Sequence, residues 1–316
     1  MKSSEADAGY LAPQAQMRAL PTGLTLQKFR ERLIEVALFL CAASSIAITC
    51  GIVWVLLAES WHFFRHVSLL EFLTDTQWTV LFENPRYGIL PLVTGTLVTS
   101  GIALLVALPL GTTIAIYLSE YANPRVREVL KPILELLSAV PTVVFGYFAL
   151  LFVTPLLQTI LPDLPGFNML SAGLVIGIMI IPYVSSLSED AMKAVSVHIR
   201  EGSYALGATR FQTAMRVLIP SAFSGIASAY VLGFSRAVGE TMVVAVAAGT
   251  QPKLTLNPME GAATITAYIV QVSLGDLPHG SVAYQSIFAA GLTLMGMTLV
   301  FNIGGYLLRK RFREIY

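Results

Sequence analysis

Charged residues are scarce in this chain of 316 residues. Asp, Glu, Lys and Arg together make up 12% of it, whereas 55% of the residues are hydrophobic. A soluble domain usually carries about twice that charged fraction, so the composition predicts an all-α polytopic membrane protein. The formal net charge is only +1, and no basic stretch is dense enough to indicate nucleic-acid binding.

Cysteine and the common catalytic motifs are also rare or missing. Cys41 and Cys50 lie nine residues apart in one apolar run. On one helix they cannot reach each other, so there is no disulfide framework. The sequence contains no G-x-x-x-x-G-K-[ST], H-E-x-x-H or C-x-x-C motif. We therefore expect no enzymatic activity, no cofactor and no metal, and any ATP that drives this protein must be hydrolysed by another subunit.

Six apolar runs are long enough to cross a bilayer, which takes about 20 helical residues. They cover residues 33–58, 89–118, 132–157, 168–187, 221–249 and 283–308. Small residues in the second run favour close helix packing, and Pro141 in the third predicts a kink. The remaining boundaries define a tail at 1–32, a first helix with an interfacial segment at 33–87, a core transmembrane domain at 88–308 and a tail at 309–316.

Lysine and arginine are unevenly distributed between the two sides of this arrangement. With the N-terminus inside, sixteen of the 20 basic residues lie in inner segments, and only Arg65, Arg86 and Lys253 lie in outer ones. Basic residues are enriched in cytoplasmic loops. The distribution therefore predicts that both ends of the chain are cytoplasmic.

The remaining basic residue, Arg236, lies with Glu240 near the middle of the fifth run. A charge at the centre of a spanning helix costs roughly 2.5–3.5 kcal/mol on insertion scales, so the two residues need a reason to be there. Residues four apart share a helical face, which allows two interpretations. The side chains could form a substrate site, or they could form an intrahelical ion pair that makes two buried charges tolerable.

The loop at 188–220, between the fourth and fifth runs, contains the pattern E-x5-G-x9-[IV]-x-[LI]-P. Its fixed positions are Glu201, Gly207, Val217 and Pro220. This pattern resembles the cytoplasmic loop of ABC importer permeases, E-A-A-x3-G-x9-I-x-L-P. The resemblance implies a short coupling helix that docks in a groove on an ATPase subunit, and we call residues 188–220 the coupling loop.

Small side chains in the coupling loop suit such docking. Gly202 and Ser203 replace the two alanines of the family pattern, and Ala205 follows them. Gly207 permits a backbone reversal after the short helix, and Pro220 is expected to stop the following helix from extending further inward.

A narrower resemblance covers most of the chain from Leu90 to Tyr306. The segments EYANPRVREVLKPILELLSAVPTVVFGY, GFNMLSAGLVIGIMIIPYVSSLSEDAM and SRAVGETMVV are similar to the phosphate-specific ABC importer permease of the PstC type. The resemblance implies the type I ABC importer permease (MetI-like) fold with six transmembrane helices, in the bacterial inner membrane. It also implies three kinds of partner: a second homologous permease, two ATP-binding cassette ATPase subunits and an extracytoplasmic phosphate-binding protein.

In that family, the residues that match Arg236 and Glu240 are implicated in transport. A guanidinium suits an oxyanion, and phosphate near neutral pH still carries a proton that a carboxylate can accept, whereas sulfate does not. Two alternatives remain: a permease for another oxyanion (sulfate, molybdate or phosphonate), and a proton-coupled secondary transporter with Arg236 and Glu240 as its gate.

Overall fold

The computed structural model of this chain describes residues 23–80, 84–275, 277–278 and 280–311. The predicted tails lie partly outside these residues, at 1–22 and 312–316. The chain divides into two compact units, Met1–Trp54 and Val55–Tyr316. Among the described residues, the β pairing consists of one isolated antiparallel bridge between Trp78 and Tyr87.

The rest of the regular structure is helical. In chain order the helices are α1 (Gly23–Phe64), α2 (Leu69–Thr74), α3 (Leu90–Tyr121), α4 (Pro124–Ala139), α5 (Thr142–Gln158), α6 (Met169–Lys193), α7 (Val197–Ala205), α8 (Arg210–Ser221), α9 (Phe223–Val238), α10 (Met242–Ala247), α11 (Ile265–Ser273) and α12 (Val282–Arg311). Within the described ranges, α1, α3, α6 and α12 are each long and apolar enough to span a membrane. The bent pairs α4–α5 and α8–α9 raise the number to six if each pair forms one span.

The first helix begins earlier than the apolar run that predicted it. It starts at Gly23 and so includes Lys28, Arg30 and Arg32, which the sequence analysis assigned to a tail. Lys, Arg, Glu and Leu have high helix propensity. The helix can therefore continue past the apolar residues without tertiary support.

A sharp bend separates α4 from α5. Their axes differ by 87°, and Pro141 occupies the N-cap position of α5. The kink predicted at Pro141 is therefore confirmed, and it is large enough to make α4 and α5 separate helices.

Two further prolines are accommodated by π-helical turns. Pro155 follows the π turn Ala149–Val153 within α5, and Pro220 follows the π turn Ala214–Leu218 within α8. Proline has no N–H, and its ring clashes with the carbonyl four residues back. A local π turn replaces that bonding pattern, so the helix can pass through the proline. Thr154 Oγ1 donates to the carbonyl of Ala149 at 3.0 Å, across the first of these turns.

The helix that follows Pro220, α9, begins at Phe223 and does not extend inward past this proline, as expected. Helix α8 runs through Pro220 to Ser221, and the 75° bend toward α9 falls at Ala222. The π turn explains how α8 itself continues through Pro220, because it removes the clash that would otherwise end the helix.

The centre of the second unit is the contact between α3 and α6. A Cβ atom added at Gly177 of α6 would lie 2.8 Å from the carbonyl oxygen of Ala103, and one added at Gly173 would lie 2.9 Å from that of Thr99. The two backbones therefore touch, which only glycine permits. Helices α5, α9, α10 and α11 each contribute buried residues to the same core.

The small residues predicted to allow close packing in α3 do so near its start. Thr96 Oγ1 accepts a hydrogen bond from the backbone N–H of Ile265 at 3.0 Å. This bond fixes the first residue of α11 against α3.

A second core contains a group of aromatic side chains. Phe63, Phe72, Trp78, Tyr87 and Tyr268 are buried, and neighbouring rings meet edge to face, with centroids 5.0 Å apart for Trp78 and Tyr268. This geometry is favoured by the ring quadrupoles. Because Tyr268 belongs to α11, the aromatic core also holds α11 in position beside the candidate site.

Candidate functional site

The coupling loop contains the short helix that the resemblance implied. Glu201, Gly202, Ser203 and Ala205 all lie on α7. Gly207 follows the helix with a φ of 81°, in the left-handed region. A residue with a Cβ is strained in that conformation, so Gly207 allows the chain to reverse as expected. All of these residues except Ser203 are exposed.

One side of α7 is fixed to α8. Ser203 Oγ and Thr213 Oγ1 lie 2.9 Å apart and share a hydrogen bond. At the start of α8, Thr209 and Gln212 form a capping box in which each side chain accepts from the other's backbone N–H. The last predicted residue of the loop, Pro220, is exposed near the end of α8.

Another side of α7 is fixed to α3 by Glu120, a residue that the sequence analysis did not single out. Arg200 Nη1 lies 3.2 Å from Glu120 Oε1, and the Tyr204 hydroxyl donates to Glu120 Oε2 at 2.6 Å. Burial of the Tyr204 hydroxyl, and then its hydrogen bond to Glu120, raises the pKa of Tyr204 above its ordinary value. The hydroxyl therefore remains a donor at physiological pH.

Arg236 lies in the last turn of α9 and has an aromatic neighbour. Its Cζ lies 4.1 Å from the ring centroid of Tyr183 on α6, within the range of a cation–π contact. Its Nε is buried without a hydrogen-bond partner. Among the described residues, none forms an ion pair or hydrogen bond with this side chain. The ring therefore supports the guanidinium and leaves its N–H groups unpaired.

Glu240 has a different environment. The residue is 7% exposed, and its Oε1 accepts hydrogen bonds from the backbone N–H groups of Met242 and Val243, at 3.2 and 3.3 Å. These are the first residues of α10, so the carboxylate caps that helix. The carbonyl of Glu240 accepts from Thr266 Oγ1 at 2.7 Å, which ties the same point to α11.

The prediction that Arg236 and Glu240 share one helical face is wrong. Helix α9 ends at Val238, and α10 begins only at Met242. Within the described part of the chain, no salt bridge joins the two side chains. An intrahelical ion pair therefore does not compensate the free-energy cost of burying these two charges. Gly239 followed by a polar residue is a helix-stop signal that could have indicated the break.

A buried carboxylate, Glu189 of α6, also joins α6 to α4. The Glu189 side chain is fully buried, with Arg127 Nε 2.6 Å, Lys193 Nζ 2.8 Å and Lys131 Nζ 3.2 Å from its oxygens. Lys131 also pairs with Asp190 at 2.8 Å. Three cations around one buried carboxylate compensate its desolvation. Only the i, i+4 spacing of Glu189 and Lys193 could have suggested this cluster.

The segment before α11 carries one further ion pair, between Lys253 and Glu260. The hydrogen bond from Lys253 is the main cause that lowers the pKa of Glu260 below its ordinary value. Within the described ranges, no group of three or more His, Cys, Asp or Glu side chains has the geometry of a metal site.

These features define a polytopic all-α membrane protein with an arginine that has no polar partner among the described residues and lies beside the break between α9 and α10. The family described as binding-protein-dependent transport system inner membrane component matches residues 107–314. The chain belongs to this family.

Individual relatives agree with this assignment. A probable ABC transporter permease protein of Bacillus subtilis, YqgH, is 36% identical over 278 residues, which is 87% of this chain and 89% of that protein. The phosphate transport system permease protein PstC of Mesorhizobium japonicum is 32% identical over 283 residues, or 82% of this chain and 84% of that protein. The chain is therefore an ABC importer permease subunit.

Solved structures show the same fold at low sequence identity. A bacterial ABC transporter involved in the import of the acidic polysaccharide alginate matches with a TM-score of 0.64 and 17% identity, over 91% of this chain and 100% of that one. The MetNI methionine ABC transporter matches with a TM-score of 0.54 and 18% identity, over 72% of this chain and 95% of that one. The predicted type I ABC importer permease (MetI-like) fold is confirmed.

Proposed function

We propose that this chain is one permease subunit of an ATP-driven importer that moves inorganic phosphate into a bacterial cell. The observation that carries the proposal is the environment of Arg236, a cation in the bent pair α8–α9. Its guanidinium stacks on Tyr183, and its N–H donors have no partner among the described residues. Relatives named as phosphate permeases support the choice of phosphate among oxyanions.

The chemistry of the site suits weak, transient binding of phosphate. Arg236 can present two N–H groups to two phosphate oxygens. Glu240 Oε1 is occupied by backbone donors, whereas no hydrogen bond to Oε2 is found in the described part of the chain. Oε2 can accept the proton that phosphate retains near neutral pH. The negative charge of Glu240 also shortens the residence of the anion, as a transport path requires.

The proposed partners follow from the exposed surface of α7 and from the family. Two ATP-binding cassette ATPase subunits would provide the energy, and one of them would dock on the coupling loop of this chain, where Glu201, Gly202, Ala205 and Gly207 are exposed. A second homologous permease would complete the translocation path. An extracytoplasmic phosphate-binding protein would deliver the anion.

The proposed orientation places both chain ends and the coupling loop in the cytoplasm, because sixteen basic residues then lie inside and three outside. The proposed core permease domain is 88–308. The family match at 107–314 supports that range.

Uptake of labelled phosphate, in a strain that lacks its other phosphate systems, tests the proposal. Arg236→Gln should abolish uptake while the ATPase still copurifies, because the side chain has no polar partner among the described residues whose loss would unfold the site. Arg65→Gln is the matched control, since it removes an exposed arginine from another segment. Uptake that survives Arg236→Gln would refute the site, and a preference for sulfate would refute the substrate.

The proton-coupled alternative is separated by a second measurement. It requires transport by this chain alone, abolished when the proton gradient is collapsed. The importer instead requires a copurifying P-loop ATPase that is lost from the complex in Glu201→Lys or Gly207→Asp.

A further inference from the structure

We propose that Glu120 is a positioning residue that joins the coupling helix α7 to the transmembrane helix α3, so that a displacement of α7 moves α3 directly. The inference rests on the proposed function only in that α7 receives the ATPase. It does not depend on which anion is transported.

Glu120 is a carboxylate in a place where an unpaired charge would be costly. Its side chain is 1% exposed, and a buried ion is tolerated only when it is well paired. Both of its partners, Arg200 and Tyr204, come from α7. The desolvation of Glu120 is therefore compensated only while α7 stays in place against α3.

The two partners also divide the surface of α7. Arg200 and Tyr204 are four residues apart and so lie on one helical face. Glu201, Gly202 and Ala205 are exposed elsewhere on α7. One face is thus anchored within the subunit while other positions remain available to a partner.

The backbone of α3 is adapted to this contact. Glu120 lies in the π turn Tyr117–Tyr121, closed by the backbone N–H of Ala122, which donates to the carbonyl of Tyr117 at 2.8 Å. A π turn shifts the direction of the side chains that follow it, and such turns are frequent at functional sites. Without this local rewinding, Glu120 would lie at a different angle around α3.

From α3 the contact continues toward the candidate substrate site. The backbones of α3 and α6 touch at Gly173 and Gly177, and α6 carries Tyr183 beneath Arg236. Helix α7 is also joined to α9 along the chain, through α8. Glu120 therefore adds a second, non-covalent connection, and the two together fix the position of α7 relative to both sides of the site.

The test compares Glu120→Gln with Glu128→Gln in the complex purified with this chain and reconstituted into proteoliposomes. Glu128 is an exposed glutamate of α4. ATP hydrolysis and phosphate uptake are measured together. We expect uptake per ATP hydrolysed to fall about 5- to 10-fold in Glu120→Gln, a size typical of residues that modulate coupling, while subunit assembly and the ratio in Glu128→Gln stay at the wild-type level.

A double-mutant cycle identifies the partner. Arg200→Gln should lower the same ratio, and the double variant Glu120→Gln/Arg200→Gln should be no worse than either single change. Additive losses would overturn the proposal. So would a wild-type ratio in Glu120→Gln, or loss of assembly in Glu120→Gln, because the residue would then be uninvolved or needed only for folding.

A distance measurement keeps the test independent of the transported anion. Spin labels at exposed positions on α7 and α3, His198 and Thr113, are introduced after Cys41 and Cys50 have been replaced by serine. The distance distribution is recorded in the full-length chain in detergent. It should be narrow in the wild type and broaden in Glu120→Gln. An unchanged distribution would overturn the proposal, whereas an absence of phosphate uptake in the wild type would overturn only the proposed substrate.

Discussion

Replacing Glu240 by glutamine separates the charge of this side chain from its hydrogen bonds. Oε1 accepts from two backbone N–H groups at the start of α10, and glutamine retains an amide oxygen that can accept both. Alanine removes the acceptor as well as the charge. The two variants therefore distinguish a residue that acts on the substrate from one that only caps a helix.

The expected magnitudes follow from those contacts. Loss of a helix cap costs about 0.5–2 kcal/mol, and a buried donor left without a partner costs about 1–3 kcal/mol. Both bonds are longer than 3 Å, so we expect Glu240→Ala to lower the free energy of unfolding by about 1–2 kcal/mol. Glu240→Gln loses only the part due to charge, which is half of that amount or about 0.5–1 kcal/mol, since charge-assisted bonds are roughly twice as strong as neutral ones.

The assay combines thermal unfolding of the purified complex with phosphate uptake in vesicles. Glu240→Gln should keep nearly wild-type stability and lose most uptake. Its amide oxygen replaces Oε1, and the NH2 group that replaces Oε2 donates hydrogen bonds and cannot accept the phosphate proton. Glu240→Ala should lose both. Wild-type uptake in Glu240→Gln would refute the role of Glu240 as acceptor of the phosphate proton. Equal stability of the two variants would refute the role of Glu240 as a helix cap.

Three further predictions concern other contacts. Tyr183→Leu removes a cation–π contact of about 0.5–2 kcal/mol, so the KM for phosphate uptake should rise about 2- to 30-fold while Tyr183→Phe stays near the wild type; an equal loss in both would assign the effect to the hydroxyl. Gly177→Val should lower the free energy of unfolding by about 1–3 kcal/mol through overpacking, whereas Gly101→Val, with nothing within 4 Å of the added Cβ, should be nearly neutral in the same unfolding assay. Because the Glu260 pKa is lowered in the folded state, its stabilisation is present above the ordinary value of 4.5 and is lost as the pH falls below it; the stability of Lys253→Gln should therefore depend less on pH in that range, and an identical pH profile would contradict the ion pair.

The features that the sequence could predict depend on composition and on local spacing. The apolar runs indicated the spanning segments because about 20 apolar residues are needed to cross a bilayer. The resemblance carried by Glu201 and Gly207 implied a short helix, and Gly207 indicated a reversal after it; the structure has both. Pro141 indicated a kink because the effect of proline on a helix is local.

The features that it could not predict depend on contacts between distant segments. The local sequence around Glu120 and Tyr183 does not indicate their contacts. Glu120 meets Tyr204 of α7, and Tyr183 meets Arg236 of α9, only in the folded chain. The break at Gly239 was missed because a long apolar run favours one continuous helix, whereas the carboxylate of Glu240 and the hydroxyl of Thr266 stabilise the interruption. The π turn before Pro220 likewise has no simple signature in sequence.

The interruption between α9 and α10 also has to be shielded from hydrocarbon. In hydrocarbon, each unpaired backbone N–H or C=O costs several kcal/mol, so non-helical backbone at membrane depth persists only where protein or water covers it. Thr266 and Glu240 cover part of this stretch, and the carbonyls of Ser235 and Ala237 accept from the backbone N–H groups of Gly239 and Glu240, at 3.1 and 3.3 Å. Side chains and the following turn therefore provide the cover that this interrupted backbone needs at membrane depth. Arg236 has no such cover for its N–H groups, so an arriving anion meets the guanidinium without first breaking a hydrogen bond or ion pair within the described part of the chain.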